Sequence, residues 1–146
     1  MMNQHGISVI IHTYNAEQHL ERVLQSVMGF DELIVCDMES TDATLAIAER
    51  HVCRILTFPR GEHRIAEPAR QFAIDRASCD WILTVDADEL VSPELRDYLY
   101  AHIASEQPAA GLYLARRNYF MVRFLHAAYP DYVLRFFRRE QTTWAP

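Results

Sequence analysis

Apolar side chains recur along this chain in alternating strand-like and helix-like patterns. The run ISVII at residues 7–11 is dominated by β-branched and aliphatic side chains, the pattern of a strand covered on both faces. Residues 16–28 then place Leu20, Val23, Leu24 and Val27 at helical spacing, with Gly29 where a helix would stop. The unit repeats as a strand at 32–36 (ELIVC), a polar loop, and a helix at 43–50 capped by Thr41 or Asp42. A third strand is predicted at 52–57, a loop through FPRGEHRIAEP, and a helix at 68–77 with Pro68 in its first turn. Residues 81–85 (WILTV) form a fourth strand that runs directly into DADE, and Ser92 caps a helix opening with Pro93 and Glu94.

Strands alternating with helices of this length predict an α/β fold, a mostly parallel sheet with helices on both faces. The tail differs, because GLYLARRNYF at 111–120 and YVLRFFRR at 132–139 read as strands joined by MVRFLHAAYPD. The expectation is one domain overall. Its βαβ region spans 1–106 and its β-rich tail 107–146.

In open parallel sheets the ligand sits beyond the carboxyl ends of the strands. Three polar clusters fall there: HTYN after the first strand, DMESTD after the second, and DADE after the fourth. Asp86 and Asp88 stand two apart just past a buried strand, and hard divalent cations take carboxylate and phosphate oxygens. A solvated turn into the next helix is the plainer alternative for the same residues. Asp37 ends the second strand, where an acid can accept hydrogen bonds from a ribose or base edge, or simply cap a turn. Thr13, Tyr14 and Asn15 offer hydroxyls and an aromatic face to a base, or ordinary turn chemistry.

Composition narrows the class. With 50% apolar and 23% charged residues the chain reads as globular and not as disordered. Its net charge of -6 is unevenly spread: 8 arginines face 18 acids up to residue 106, and 6 face 2 beyond it. An acidic chain makes a poor nucleic-acid binder, so no nucleic-acid partner is expected. All 14 basic residues are arginine, which reads as compositional bias. The three cysteines have neither disulfide-framework nor zinc spacing and read as core residues in a reducing compartment. No apolar run reaches membrane-span length and no signal segment opens the chain, so a cytoplasmic location is expected.

ISVIIHTYNAEQHLERVLQSV, ELIVCDMESTDAT, ARQFAIDRA and DWILTVDADE, in that order and spacing, resemble the family 2 glycosyltransferases over roughly the first 100 residues. The tail motif YPDYVLRFFRR is similar to the bacterial branch that adds glucose or a related sugar to lipopolysaccharide core. The resemblance implies a Rossmann-like GT-A fold and metal-dependent, inverting transfer from a nucleoside diphosphate sugar, UDP-linked, to a glycan or lipid-linked acceptor. Tyr14 would lie against the base with Thr13 beside it, Asp37 would bind uracil or ribose, and Arg70 would approach the nucleotide. Asp86 would lie near the ribose and Asp88 would ligate the Mn²⁺ or Mg²⁺ on the diphosphate. His12 departs from the family's usual proline and Gln71 from its usual asparagine.

Inversion by direct displacement needs one base for the acceptor hydroxyl. Asp131 is the candidate, as the one acid in a long basic and aromatic stretch, with a turn residue after Pro130 as the plainer alternative; Glu89 is next, or else only supports the metal site. Arg116, Arg117, Arg135, Arg138 and Arg139 would meet an anionic acceptor or the inner membrane surface carrying it, in peripheral contact, or else form a solvated strand face. The family's members generally continue past the point where TTWAP ends this chain, so a fragment lacking part of the acceptor side, or a nucleotide-sugar-binding module without turnover, is the alternative.

Overall fold

The computed structural model describes residues 3–59, 67–105, 108–115, 121–123 and 132–139. In chain order the elements are β1 (Asn3–Thr13), α1 (Leu20–Ser26), β2 (Glu32–Asp37), α2 (Thr44–Glu49), β3 (Arg54–Thr57) and α3 (Glu67–Arg76). They continue with β4 (Cys79–Asp86), β5 (Glu89–Val91), α4 (Pro93–Ile103), β6 (Gly111–Ala115), β7 (Met121–Arg123) and β8 (Tyr132–Arg138). The main sheet has the order β3-β2-β1-β4-β8-β6. Its first four strands are mutually parallel, while β8 runs antiparallel to both β4 and β6.

Alternation along the strands sorts side chains onto two buried faces. Val9, Ile11, Val35, Leu83, Val85 and Phe136 meet the inner residues of α1, α2 and α4 on one face. Ile10, Ile34, Cys36, Ile82 and Phe137 meet Ala69, Ala73 and Ile74 of α3, and Ala77 just after it, on the other. Small residues on α3 let it lie close to the sheet. Trp81 stacks on Phe136 at 5.1 Å with ring planes 10° apart, joining β4 to its antiparallel neighbour.

The predicted strands and helices are present, with shifted ends. α1 is shorter than the 16–28 pattern, because residues 17–19 form a turn before it. β3 begins at Arg54, and Val52 projects into solvent. Ser92 caps α4 as expected, its hydroxyl accepting the Leu95 N–H at 3.1 Å. Neither Thr41 nor Asp42 is the cap residue of α2; Ala43 holds that position, and Asp42 accepts the Thr44 N–H from one residue further out. Pattern reading missed the two-stranded ribbon of β5 and β7, since Glu89–Val91 is three residues long and its partner lies 30 or more residues away in the chain. Of the strand expected at 111–120, residues 116–120 lie outside the described residues.

One carboxylate ties the amino ends of four strands. Glu32 opens β2 and accepts the Ser8 hydroxyl of β1 at 2.7 Å and Arg54 Nη1 of β3 at 2.9 Å. It also takes the N–H and hydroxyl of Ser78, just before β4, at 2.8 and 2.9 Å. Beside it Asp31 accepts the Ile7 N–H at 2.9 Å and the Tyr100 hydroxyl at 2.5 Å. Burial works against the charge on Glu32, but the bonds from Ser78, Ser8 and Arg54 outweigh it and hold the carboxyl below its usual 4.5.

An acid whose pKa is lowered by folding stabilises the protein above its unfolded value, and that stability is lost as pH falls through the folded value. Glu32→Gln is therefore expected to lower stability at neutral pH and flatten the loss of stability below pH 4.5. Urea denaturation across pH 3 to 7, taken as a rough working range, checks this; acid profiles of equal steepness for variant and wild type would contradict it.

Candidate functional site

β1 sets the geometry of the site because it is paired on both edges. Thr13 lies opposite Asp37 of β2, and His12 lies opposite both Cys36 and Asp86. The loops after β1, β2 and β4 therefore leave the sheet side by side. The polar clusters at 12–15, 37–42 and 86–89 meet at this one edge, as the sequence predicts.

The first two loops are bonded into a single piece. The Thr13 hydroxyl donates to Asp37 Oδ1 at 2.6 Å, and both residues are buried. Ser40 gives its hydroxyl to the same oxygen at 2.6 Å and its N–H to Oδ2 at 2.8 Å. Asn15, at φ 48°, accepts the Thr41 N–H on Oδ1 at 2.7 Å and donates its own N–H to the Ser40 hydroxyl at 2.8 Å. Asparagine suits this left-handed backbone better than most residues. Thr44 accepts the Ala16 N–H at 2.8 Å and donates its hydroxyl to Asp42. Asp42 also takes the Glu17 N–H at 3.2 Å. Its slight desolvation is outweighed by these bonds, which hold its carboxyl below the usual range.

Tyr14 is left standing on this braced base, 42% exposed. With Asn15, Ala16, Gln18, His19, Ala87 and Asp88 it lines an open cleft of about 270 Å³. Residues of the first loop and of the DADE turn thus line one and the same cleft. Arg70 stands in the first part of α3, the helix that packs beneath β1 and β2.

Behind the turn lies an arrangement that residue patterns did not reveal. Arg135 of β8, 3% exposed, directs its guanidinium at Glu89 and Asp86. Nη1 donates to Glu89 Oε1 at 2.6 Å, and Nη2 reaches Glu89 Oε2 at 3.2 Å and Asp86 Oδ2 at 3.3 Å. Glu89 also accepts the Asp86 N–H at 2.8 Å. Burial pushes the Glu89 carboxyl up, with Arg135 pulling the other way and Asp86 adding to the rise. Buried and paired, Glu89 is not placed to serve as a base at the cleft. Asp131, the other candidate base, lies outside the described residues.

The basic tail is corrected accordingly. Arg135 is a buried structural cation and does not form a surface for an acceptor or membrane. Arg138 pairs with Asp80 at 3.6 Å and lies over the Trp81 ring, and Arg139 donates to the Ala77 carbonyl at 2.8 Å. Arg116 and Arg117 lie outside the described residues. Among the described residues no helix is long and apolar enough to cross a membrane. Cys36 and Cys79 are buried free thiols, and burial pushes Cys36 up to about 11, as for a core residue.

Among the described residues no three His, Cys, Asp or Glu side chains cluster as a metal cage. The donor set at the turn is of the other kind. Magnesium and manganese are commonly held by one or two carboxylates with substrate phosphates completing the shell. Asp88 on the cleft wall, with Asp86 two residues before it, fits that requirement.

This fold and edge define an α/β protein with an open cleft beyond the carboxyl ends of its parallel strands, where such sheets bind their ligands. The family model described as "Glycosyl transferase family 2" matches residues 8–144, and the chain belongs to that family. An uncharacterized glycosyltransferase of Rickettsia felis is 39% identical over 99 residues, 65% of this chain and 34% of the relative. The lipopolysaccharide core biosynthesis glycosyltransferase LpsC of Rhizobium meliloti is 29% identical over 115 residues, 77% of this chain and 43% of that protein. The chain thus spans about a third to two fifths of the length of these curated relatives.

Among solved structures, Staphylococcus aureus TarS 1-349 in complex with UDP aligns with a TM-score of 0.63 at 22% identity, covering 92% of this chain and 47% of TarS. Glucosyl-3-phosphoglycerate synthase from Mycobacterium tuberculosis, solved with Mn²⁺, UDP and glucosyl-3-phosphoglycerate, aligns at 0.56 and 26% identity, covering 69% and 40%. The fold is of the GT-A type that these enzymes share.

The loop geometry generates its own test. Asp37→Ala leaves the Thr13 hydroxyl and the Ser40 N–H without their acceptor, and unpaired buried donors cost about 1–3 kcal/mol each. A stability loss of about 2 kcal/mol or more is expected in urea denaturation with no ligand present. Unchanged stability would mean that Asp37 does not organise the loops.

Proposed function

We propose that this chain is the donor-binding part of a metal-dependent, inverting glycosyltransferase that takes a UDP-linked sugar. The observation that carries the reading is the single cleft that Tyr14 and Asp88 both line. An exposed aromatic ring offers a flat apolar face to a nucleobase, and a carboxylate in the same cleft offers oxygens to a cation.

In this reading Tyr14 packs against the uracil, and the braced loop beneath spares the cost of ordering it on binding. Thr13, Asn15 and Asp37 act chiefly by holding that loop, with Asp37 closest to the base and ribose. Arg70, from the start of α3, approaches the nucleotide. Asp88, with Asp86, holds Mn²⁺ or Mg²⁺, which when bound supplies Lewis-acid stabilisation of charge on the departing diphosphate. Asp131 is the proposed base for the acceptor hydroxyl.

The acceptor is proposed to be a glycan or lipid-linked glycan, on the strength of the 29% identity to LpsC. Contact with the inner membrane face would follow from a lipid-linked acceptor.

Calorimetric titration with UDP, with and without Mn²⁺, tests the two residues separately. Asp88→Ala is expected to abolish the affinity gained from Mn²⁺ while leaving metal-free binding nearly intact; an undiminished gain would remove Asp88 as a ligand. Tyr14→Ala is expected to weaken UDP binding about tenfold even without metal, as loss of a stacked base contact worth roughly 1–3 kcal/mol predicts. Equal affinity in variant and wild type would remove Tyr14 from the base site.

A further inference from the structure

The acidic turn is held from behind by a single side chain of the distant strand β8. Antiparallel pairing puts Leu83 opposite Phe136, which brings Arg135 alongside Thr84 at the end of β4. The Thr84 hydroxyl donates to the Arg135 carbonyl at 3.4 Å, and Arg135 Nη1 donates to the Thr84 carbonyl at 3.3 Å. From there the guanidinium meets both oxygens of Glu89 and one of Asp86. One planar fork therefore grips the strand before the turn, the first aspartate and the glutamate that closes it.

Three acids lie within this short turn with one arginine behind it, and the cation is not shared equally. Glu89 is fully buried and takes the short 2.6 Å contact, so most of the charge of Arg135 is spent on it. Asp86 is bonded through its N–H to Glu89 and through Oδ2 to the guanidinium, which fixes both its backbone and its carboxylate. Asp88 is the member of the run that lines the cleft.

We infer that Arg135 is a positioning residue for the metal and diphosphate end of the donor site. It sets the backbone of the turn and draws Asp86 back toward the strand, so that Asp88 carries the larger share of cation binding. This rests on the reading of Asp88 given above.

Arg135→Lys keeps the buried positive charge but replaces the fork with a point charge that cannot reach both oxygens of Glu89 and Asp86 together. Calorimetry with UDP gives two quantities: the metal-free affinity, and the factor by which Mn²⁺ raises it. For Arg135→Lys the first is expected to stay within about twofold of wild type while the second falls about tenfold. Asp86→Asn is expected to reduce the Mn²⁺ factor less than Asp88→Asn does.

Should the lysine variant fail to fold, the paired change Arg135→Met with Glu89→Leu removes both buried charges together, a replacement that folded proteins often tolerate. It is expected to show the same selective loss of the Mn²⁺ factor. A folded variant that keeps the wild-type factor, or that loses metal-free affinity to the same extent, overturns the inference. Failure of wild-type UDP affinity to respond to Mn²⁺ would instead overturn the metal-site reading on which it rests.

Discussion

Everything at the candidate site depends on β1 being hydrogen-bonded on both edges in one register. Val9, Ile10 and Ile11 are buried on the two faces of the sheet, while the backbone pairs with β2 and β4 at once. A shift by one residue would exchange the faces and bury the wrong set of side chains. The register is therefore fixed by the core, and with it the positions of Thr13 against Asp37 and His12 against Asp86.

The two ends of the sheet are secured by the same chemistry. Glu32 and Asp31 gather N–H and hydroxyl donors at the amino ends, and Asp37 gathers them at the carboxyl ends. Asp37 is buried and Glu32 half-buried, and each is met by several donors, as burying a charge requires. The DADE turn is held differently, by the ion pair of Arg135 with Glu89. Such a pair adds little net stability against apolar packing, yet breaking one partner is costly. That asymmetry makes the turn a poor place for change and a firm support for Asp88.

The parallel half of the fold was legible because its signals are local. ISVII, ELIVC and WILTV are buried runs bounded by polar clusters, and Ser92-Pro93-Glu94 announces a helix start. The polar ends of β1, β2 and β4 could likewise be placed at one edge by topology alone. What could not be read were the partners. β5 is three residues long and pairs with β7, far along the chain, and nothing in Glu-Leu-Val names that partner. Arg135 looked like a surface cation because its tail is rich in arginine. One signal was present: in YVLRFFRR, Arg135 stands two residues before Phe137 on a strand whose next two residues are aromatic, and an arginine on so apolar a strand calls for a buried acid. Asp37 was legible as the acid that closes the second strand, but its bonding to Thr13 and Ser40 depends on the fold and not on spacing.

On the proposed function, the cleft lined by Tyr14 and Asp88 receives a UDP-linked sugar with its cation at Asp88. Crystals grown with UDP and Mn²⁺, measured at the manganese absorption edge, test it most directly. The account predicts an anomalous peak within bonding distance of the Asp88 carboxylate, the uracil against Tyr14, and Arg135 still paired with Glu89. Manganese bound through Glu89 with Arg135 displaced, or UDP lodged away from the cleft, would contradict it.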